Sequence, residues 1–205
     1  MKKLKRNLNL LIKKGLKFIE GIEPSDQLIL IYHSDLDGIC SATIFLSALK
    51  NIGIVPKVKY FVGAHEALRK VLDDRTLSNY KKIVVLDIGL QQLERRIKVL
   101  KRNLLIIDHH IVMSDFNGKN VIYVNPRFKN PETYQPVSYF LYKILSHTAH
   151  IKNLEWVSAL GTVADYGFDD CKDILSKYGL KLEEILQSFT LYNDSLGEKY
   201  DQELK

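Results

Sequence analysis

Cysteine is scarce in this chain: Cys40 and Cys171 are the only two among 205 residues. They are too few for a disulfide framework and lack zinc-site spacing, which points to a reducing, cytosolic compartment. No apolar run approaches the ~20 residues of a membrane span. A Gly/Ser-rich linker, an internal repeat and a low-complexity tract are also missing. The opening MKKLKRNLNLLIKKGLKF is basic, but lysines interrupt its apolar part and no small-residue cleavage site follows. It is therefore not read as a signal peptide. What is present is a globular composition, 46% hydrophobic and 26% charged, long enough for one large domain or a domain with a helical extension.

The net charge of +6 is unevenly distributed. Residues 1–20 hold Lys2, Lys3, Lys5, Arg6, Lys13, Lys14 and Lys17 against Glu20, leaving 23 basic and 23 acidic residues elsewhere. At helical spacing Leu4, Leu8, Leu11, Ile12, Phe18 and Ile19 form one stripe, with the basic residues opposite and Gly15 within the apolar stripe. The segment 1–22 thus reads as a basic amphipathic helix packed on or next to the domain. Its charged face is either simply solvated or a contact to nucleic-acid phosphates.

From Pro24 onward apolar runs alternate with helical patterns. Residues 27–33, 54–62, 82–88, 103–108 and 120–125 read as five strands. The first, third and fourth are nearly continuous in apolar character, as in strands buried on both faces. Helical spacing marks 38–51, 65–72 and 91–101 between them, and 137–147, 153–165 and 180–192 after a polar stretch, PRFKNPETYQP. This predicts an α/β fold: a doubly wound, mostly parallel five-stranded sheet with flanking helices and a helical C-terminal part.

The chemistry gathers where strands end. The first closes on His33, Asp35 and Asp37, the third on Asp87, and the fourth on Asp108, His109 and His110. In an open parallel sheet these carboxyl ends form the ligand-binding edge. Singly, each has a plainer explanation, since Asp after a strand is often a helix cap. Together, at least four carboxylates would repel one another unless protons or cations compensated. Oxygen and imidazole donors suit manganese, and less specifically magnesium, iron or zinc; clustered thiolates are lacking.

HSDLDG (33–38), the Asp87 of LDIG, DHH (108–110) and GTVADYG (161–167) occur in the order of four motifs of the DHH phosphoesterase superfamily, which the chain resembles over roughly residues 27–167. That superfamily includes RecJ nucleases, oligoribonucleases, cyclic-dinucleotide phosphodiesterases and family II pyrophosphatases. The tight HxDxDG followed by Cys40, Ser41 and Ala42 is most similar to the RecJ and archaeal RecJ-like branch. The resemblance implies two Mn2+ ions, with Mg2+ as the alternative, one held by His33, Asp35 and Asp87, the other by Asp37, Asp87, His109 and Asp165. Asp87 would bridge them, His110 would face the substrate phosphate, and Asp108 would orient a histidine. Two cations would activate a water for in-line attack, so no Ser, Cys or Lys nucleophile is needed. The small residues of GTVAD would let a helix bring Asp165 close. The resemblance also implies a catalytic domain at 23–167, with 168–205 a helical extension or the start of a linker.

Outside the motifs, Asn125 is either a contact to phosphate or a turn residue. Arg127 and Lys129 are either phosphate contacts or solvated loop charges. Tyr134, Tyr139 and Tyr142, taken as one helical stretch, would stack on bases or pack in the core. Gly38 and Gly89 would admit close backbone approach or simply turn. His65, His147 and His150 read as structural or surface residues. The glycine-rich substrate domain that follows the fourth motif in active relatives is not recognisable in the 38 residues after Gly167. Two function classes follow. One is a metal-dependent phosphodiesterase acting on single-stranded nucleic acid, short oligonucleotides or small nucleotides, helped by a second domain or protein partner in trans. The other is a non-catalytic scaffold of a replication or repair complex.

Overall fold

The computed structural model describes residues 7–178 except 64, 91–92, 99–100 and 147–149. The helical pattern at 180–192, His147 and the lysines and arginine before residue 7 lie outside the described residues. Five strands form one parallel sheet in the order β2-β1-β3-β4-β5. They are β1 (Gln27–Tyr32), β2 (Lys57–Val62), β3 (Lys82–Leu86), β4 (Asn103–Ile107) and β5 (Val121–Val124). Residues 28–31, 83–86 and 104–107 are completely buried, so the three central strands are covered on both faces, as their unbroken apolar runs required.

The helices are α1 (Leu8–Glu20), α2 (Leu36–Asn51), α3 (His65–Asp73), α4 (Glu94–Lys98), α5 (Val137–Leu145), α6 (Glu155–Ala164) and α7 (Lys172–Leu175). α2, α5 and α6 pack on one another, and α1 lies against β5 and α5. The apolar stripe of α1 buries Leu11, Gly15 and Ile19, while Lys13, Lys14 and Lys17 are exposed. Gly15 sits against Val124 and Leu105, so the stripe is continuous with the core of the sheet.

Several boundaries depart from the sequence pattern for identifiable reasons. β2 starts at Lys57, after Pro56, which has no N–H for a ladder. β3 stops at Leu86 because Asp87 adopts φ +59°, outside the β region. The expected helix at 91–101 is described only as Glu94–Lys98. Tyr134 is not in the helix with Tyr139 and Tyr142: Pro136 is the N-cap of α5, and Tyr134 belongs to the loop before it.

The register positions the chemistry. Tyr32 pairs with Leu86, Leu86 with Ile107, and Ile107 with Val124. The ladder then continues one residue further, His33 N–H donating to Leu86 O, Asp87 N–H to Ile107 O, and Asp108 N–H to Val124 O. His33, Asp87, Asp108 and Asn125 therefore form the next row across four adjacent strands. Because β2 and β3 flank β1 on opposite sides, the order in which strands are added reverses there, which opens the crevice where ligands bind in such sheets.

Candidate metal centre

α2 begins in that crevice and carries two carboxylates into it. Asp35 is its N-cap, with Oδ1 accepting from Gly38 N–H at 2.9 Å, and its Oδ2 lies 2.5 Å from His33 Nδ1. Asp37 occupies the first turn, where the helix dipole favours negative charge. The turn closes tightly because a Cβ on Gly38 would collide with the backbone of His33. That contact, between the start of α2 and the end of β1, is the reason for glycine here.

Asp37 is buried and serves a distant element. Its Oδ2 accepts from Val137 N–H at 2.7 Å and its Oδ1 from Ser138 N–H at 3.0 Å and from the Ser138 hydroxyl. α5 has no capping side chain of its own, so a carboxylate a hundred residues away satisfies the donors its first turn leaves open. Burial, reinforced by the charge of Asp87, pushes Asp37 up to about 8, with Ser138 opposing.

Asp87 sits at the middle of the row, 2% exposed. Its positive φ is a conformation that costs a non-glycine residue of order 1–3 kcal/mol and that recurs at functional sites. Oδ1 is 3.2 Å from His109 Nε2, and Oδ2, 3.9 Å from His33 Nδ1, is buried without a hydrogen-bond partner. Burial raises its pKa while His109 holds it down. Burial alone would depress His109, but the hydrogen bond and charge of Asp87 prevail and push it to about 9.

Asp165 enters from the end of α6, where Gly161 lets α6 approach α5 and α2: a Cβ there would strike Ser138 and press on Cys40. Its Oδ2 lies 3.4 Å from His109 Nε2 and accepts from the Tyr134 hydroxyl at 2.7 Å. Among the described residues, three sets of side chains bring ligand atoms within 4.8 Å of one another: His33, Asp35 and Asp87; Asp37, His109 and Asp165; and Asp87, His109 and His110. Carboxylate oxygens and imidazoles, with an unpartnered buried Asp87 oxygen among them, fit a divalent cation.

Asp108 belongs to none of those sets. It is buried, with Oδ1 2.7 Å from His110 Nδ1 and Oδ2 accepting from the Tyr123 hydroxyl at 3.0 Å and Asn125 Nδ2 at 3.4 Å. The pair raises His110, chiefly through Asp108's hydrogen bond. With Nδ1 occupied, His110 keeps Nε2 available.

Asn125 is fully buried and its amide is used within the fold. Its Nδ2 donates to His110 O at 3.0 Å and its Oδ1 caps Arg127 N–H at 2.9 Å. Arg127 spends Nε on His109 O at 2.7 Å and Nη1 on Pro131 O at 2.6 Å. Both therefore brace the DHH segment from behind. Sequence reasoning missed Ser138, Tyr123 and the placement of Tyr134; only Ser138, just after a helix-starting proline, left a local signal.

No curated protein matches the chain. The N-terminal domain of the DHH family matches residues 27–162. Among solved structures, exonuclease RecJ bound to manganese is similar at 17% identity and TM-score 0.59, over 82% of this chain and 47% of that one. The DHH domain of a member of a family of ribosomal proteins is similar at 17% identity and TM-score 0.64, over 88% and 51%. CDC45 from Entamoeba histolytica is similar at 16% identity and TM-score 0.52, over 77% and 32%. The chain thus spans about half or less of these relatives, and the likeness is one of fold.

Proposed function

Since the chain belongs to the DHH family, we propose that it is a divalent-metal-dependent phosphodiesterase acting on single-stranded nucleic acid or short oligonucleotides. The observation that carries this reading is Asp87, buried with an unpartnered oxygen and shared by two of the three ligand sets. In this proposal His33, Asp35 and Asp87 hold one ion, and Asp37, Asp87, His109 and Asp165 the other. Two manganese ions held there would supply Lewis acidity at the phosphate and would lower the pKa of a bound water.

The chain's own residues do the rest. Asp35 fixes His33 while capping α2, so the first ligand pair is set by the helix start. Asp37 is held by the N-terminus of α5, and His109 by Asp87 and Asp165. His110, its side chain 43% exposed and backed by the buried Asp108, is kept readily protonated and presents Nε2 to a phosphate oxygen. A second domain or partner in trans would complete the substrate channel.

The rim supports a base-bearing substrate. Ile111 and Met113 lie within three residues after His110, Tyr166 and Phe168 within three after Asp165, and all four are exposed. The Tyr166 and Phe168 rings meet edge to face at 6.3 Å, and aromatic rings of this kind stack on nucleobases for about 1–3 kcal/mol each. The manganese-bound neighbour, an exonuclease, agrees in kind. Among the described residues no helix is long and apolar enough to cross a membrane.

The test is manganese content after purification, followed by manganese-dependent release of nucleotides from labelled single-stranded DNA and RNA of short and long length. Release that requires manganese and falls in Tyr166→Ala, by about tenfold or more in kcat/KM, is expected. A protein that takes up no manganese and releases nothing from any of these substrates overturns the reading.

A further inference from the structure

Tyr134 lies outside all four motifs, yet it touches two residues of the centre, Asp165 and His109. We propose that Tyr134 is a positioning residue that holds Asp165 in ligand geometry and thereby sets the affinity of the ion assigned to Asp37, His109 and Asp165. The inference rests on the metal-dependent reading of the site.

Of that set, Asp165 is the member most in need of support. Its side chain is 25% exposed, against 6% for His109, and Asp37 is almost fully buried. It forms the C-cap of α6, where the negative end of the helix dipole opposes a carboxylate. The next residue, Tyr166, is at φ +56°, so the chain turns sharply away. The hydrogen bond that steadies the carboxylate among the described residues is the one from Tyr134, at 2.7 Å to Oδ2, the oxygen that also faces His109. One hydroxyl proton occupies one lone pair and leaves the others on that carboxylate free for an ion.

Tyr134 is itself clamped. Its ring lies 5.1 Å from the His109 ring at 57°, and the Arg127 guanidinium lies over it at 5.5 Å. Its backbone N–H donates to Asp170 Oδ2 at 2.5 Å. Arg127 is fixed in turn by His109 O and by Pro131 O in the same loop. Swinging the ring away from Asp165 would break its contacts with the His109 ring and the Arg127 guanidinium. A rigid outer hydrogen bond of this kind is worth about 10–100-fold in metal affinity.

The experiment is titration calorimetry of MnCl2 into the metal-free full chain, wild type against Tyr134→Phe, which keeps the ring and removes only the hydroxyl. We expect one class of site to weaken about tenfold or more while the other is unchanged, with the metal-free melting temperature held. Cleavage of a short labelled oligonucleotide should then be restored in the variant by raised manganese, an effect on metal affinity and not on the saturated rate. A wild-type isotherm in Tyr134→Phe overturns the inference and leaves the metal-dependent reading intact. So does a lowered metal-free melting temperature with unchanged affinity. Absence of manganese binding by the wild type overturns both.

Discussion

Asparagine at position 87 removes a charge while preserving shape, and Asn tolerates the left-handed backbone found there. Two of the three ligand sets lose a carboxylate at once. At manganese one hundred times above Kd, the wild type should gain about 2.7 kcal/mol, which for a domain of this size raises the melting temperature by roughly 5–11 °C. If Asp87→Asn weakens binding about 100-fold, the same manganese contributes only about 0.4 kcal/mol, or roughly 1–2 °C. In the metal-free variant, relief of the repulsion from Asp35 and Asp37 is offset by loss of the Asp87–His109 contact, so the metal-free melting temperature is the reference from which each manganese shift is read. Asp108→Asn is the contrast. It lies outside every ligand set but bonds His110, Tyr123 and Asn125. It should cost about 1–3 kcal/mol of stability yet retain the larger part of the manganese shift. Melting with and without MnCl2, together with elemental analysis, reads both variants. A wild-type shift and metal content in Asp87→Asn would refute its place between the two ion sites.

Four further outcomes rest on the packing of the fold and the protonation of the site. Gly161→Val should destabilise the fold by about 1–3 kcal/mol through overpacking against Ser138 and Cys40, and should lower manganese affinity by displacing Asp165; urea unfolding and calorimetry measure the two effects. In metal-free protein, Asp37 rises from 3.8 to about 8 and His109 from 6.5 to about 9, so between these limits the folded state holds protons that the unfolded state has released. Stability should therefore fall as pH climbs: the penalty at Asp37 grows from about pH 4 to 8, and the contribution of His109, full below about 6.5, is lost through 9. Manganese displaces those protons, so its melting-temperature shift should widen over the same range; a flat metal-free profile would contradict this. Leu11→Ala, which empties a buried position of α1, should cost about 2–5 kcal/mol. If α1 only packs, removing its exposed lysines will leave the salt slope of oligonucleotide binding unchanged.

The alternation of apolar runs and helical patterns, and the placement of His33, Asp87 and Asp108 just past strand ends, could be read from the chain because they depend on local period and residue type. A run such as LLII is buried on both faces wherever it pairs, and the residue after it necessarily falls on the carboxyl edge. What the sequence could not supply was the partner of each side chain. Asp37 capping α5, Tyr134 reaching Asp165, and Asn125 and Arg127 turning inward to brace His109 and His110 join segments up to a hundred residues apart. The contact of Tyr134 with Asp165 exists because Gly161 admits α6 against α5, those of Asp37 because α2 packs on α5, and those of Asn125 and Arg127 because the parallel register sets β4 beside β5. None of these conditions leaves a periodic trace in the chain. Strand ends and residue chemistry were determined by the sequence itself, whereas the aim of each carboxylate was decided only when the helices closed over the sheet.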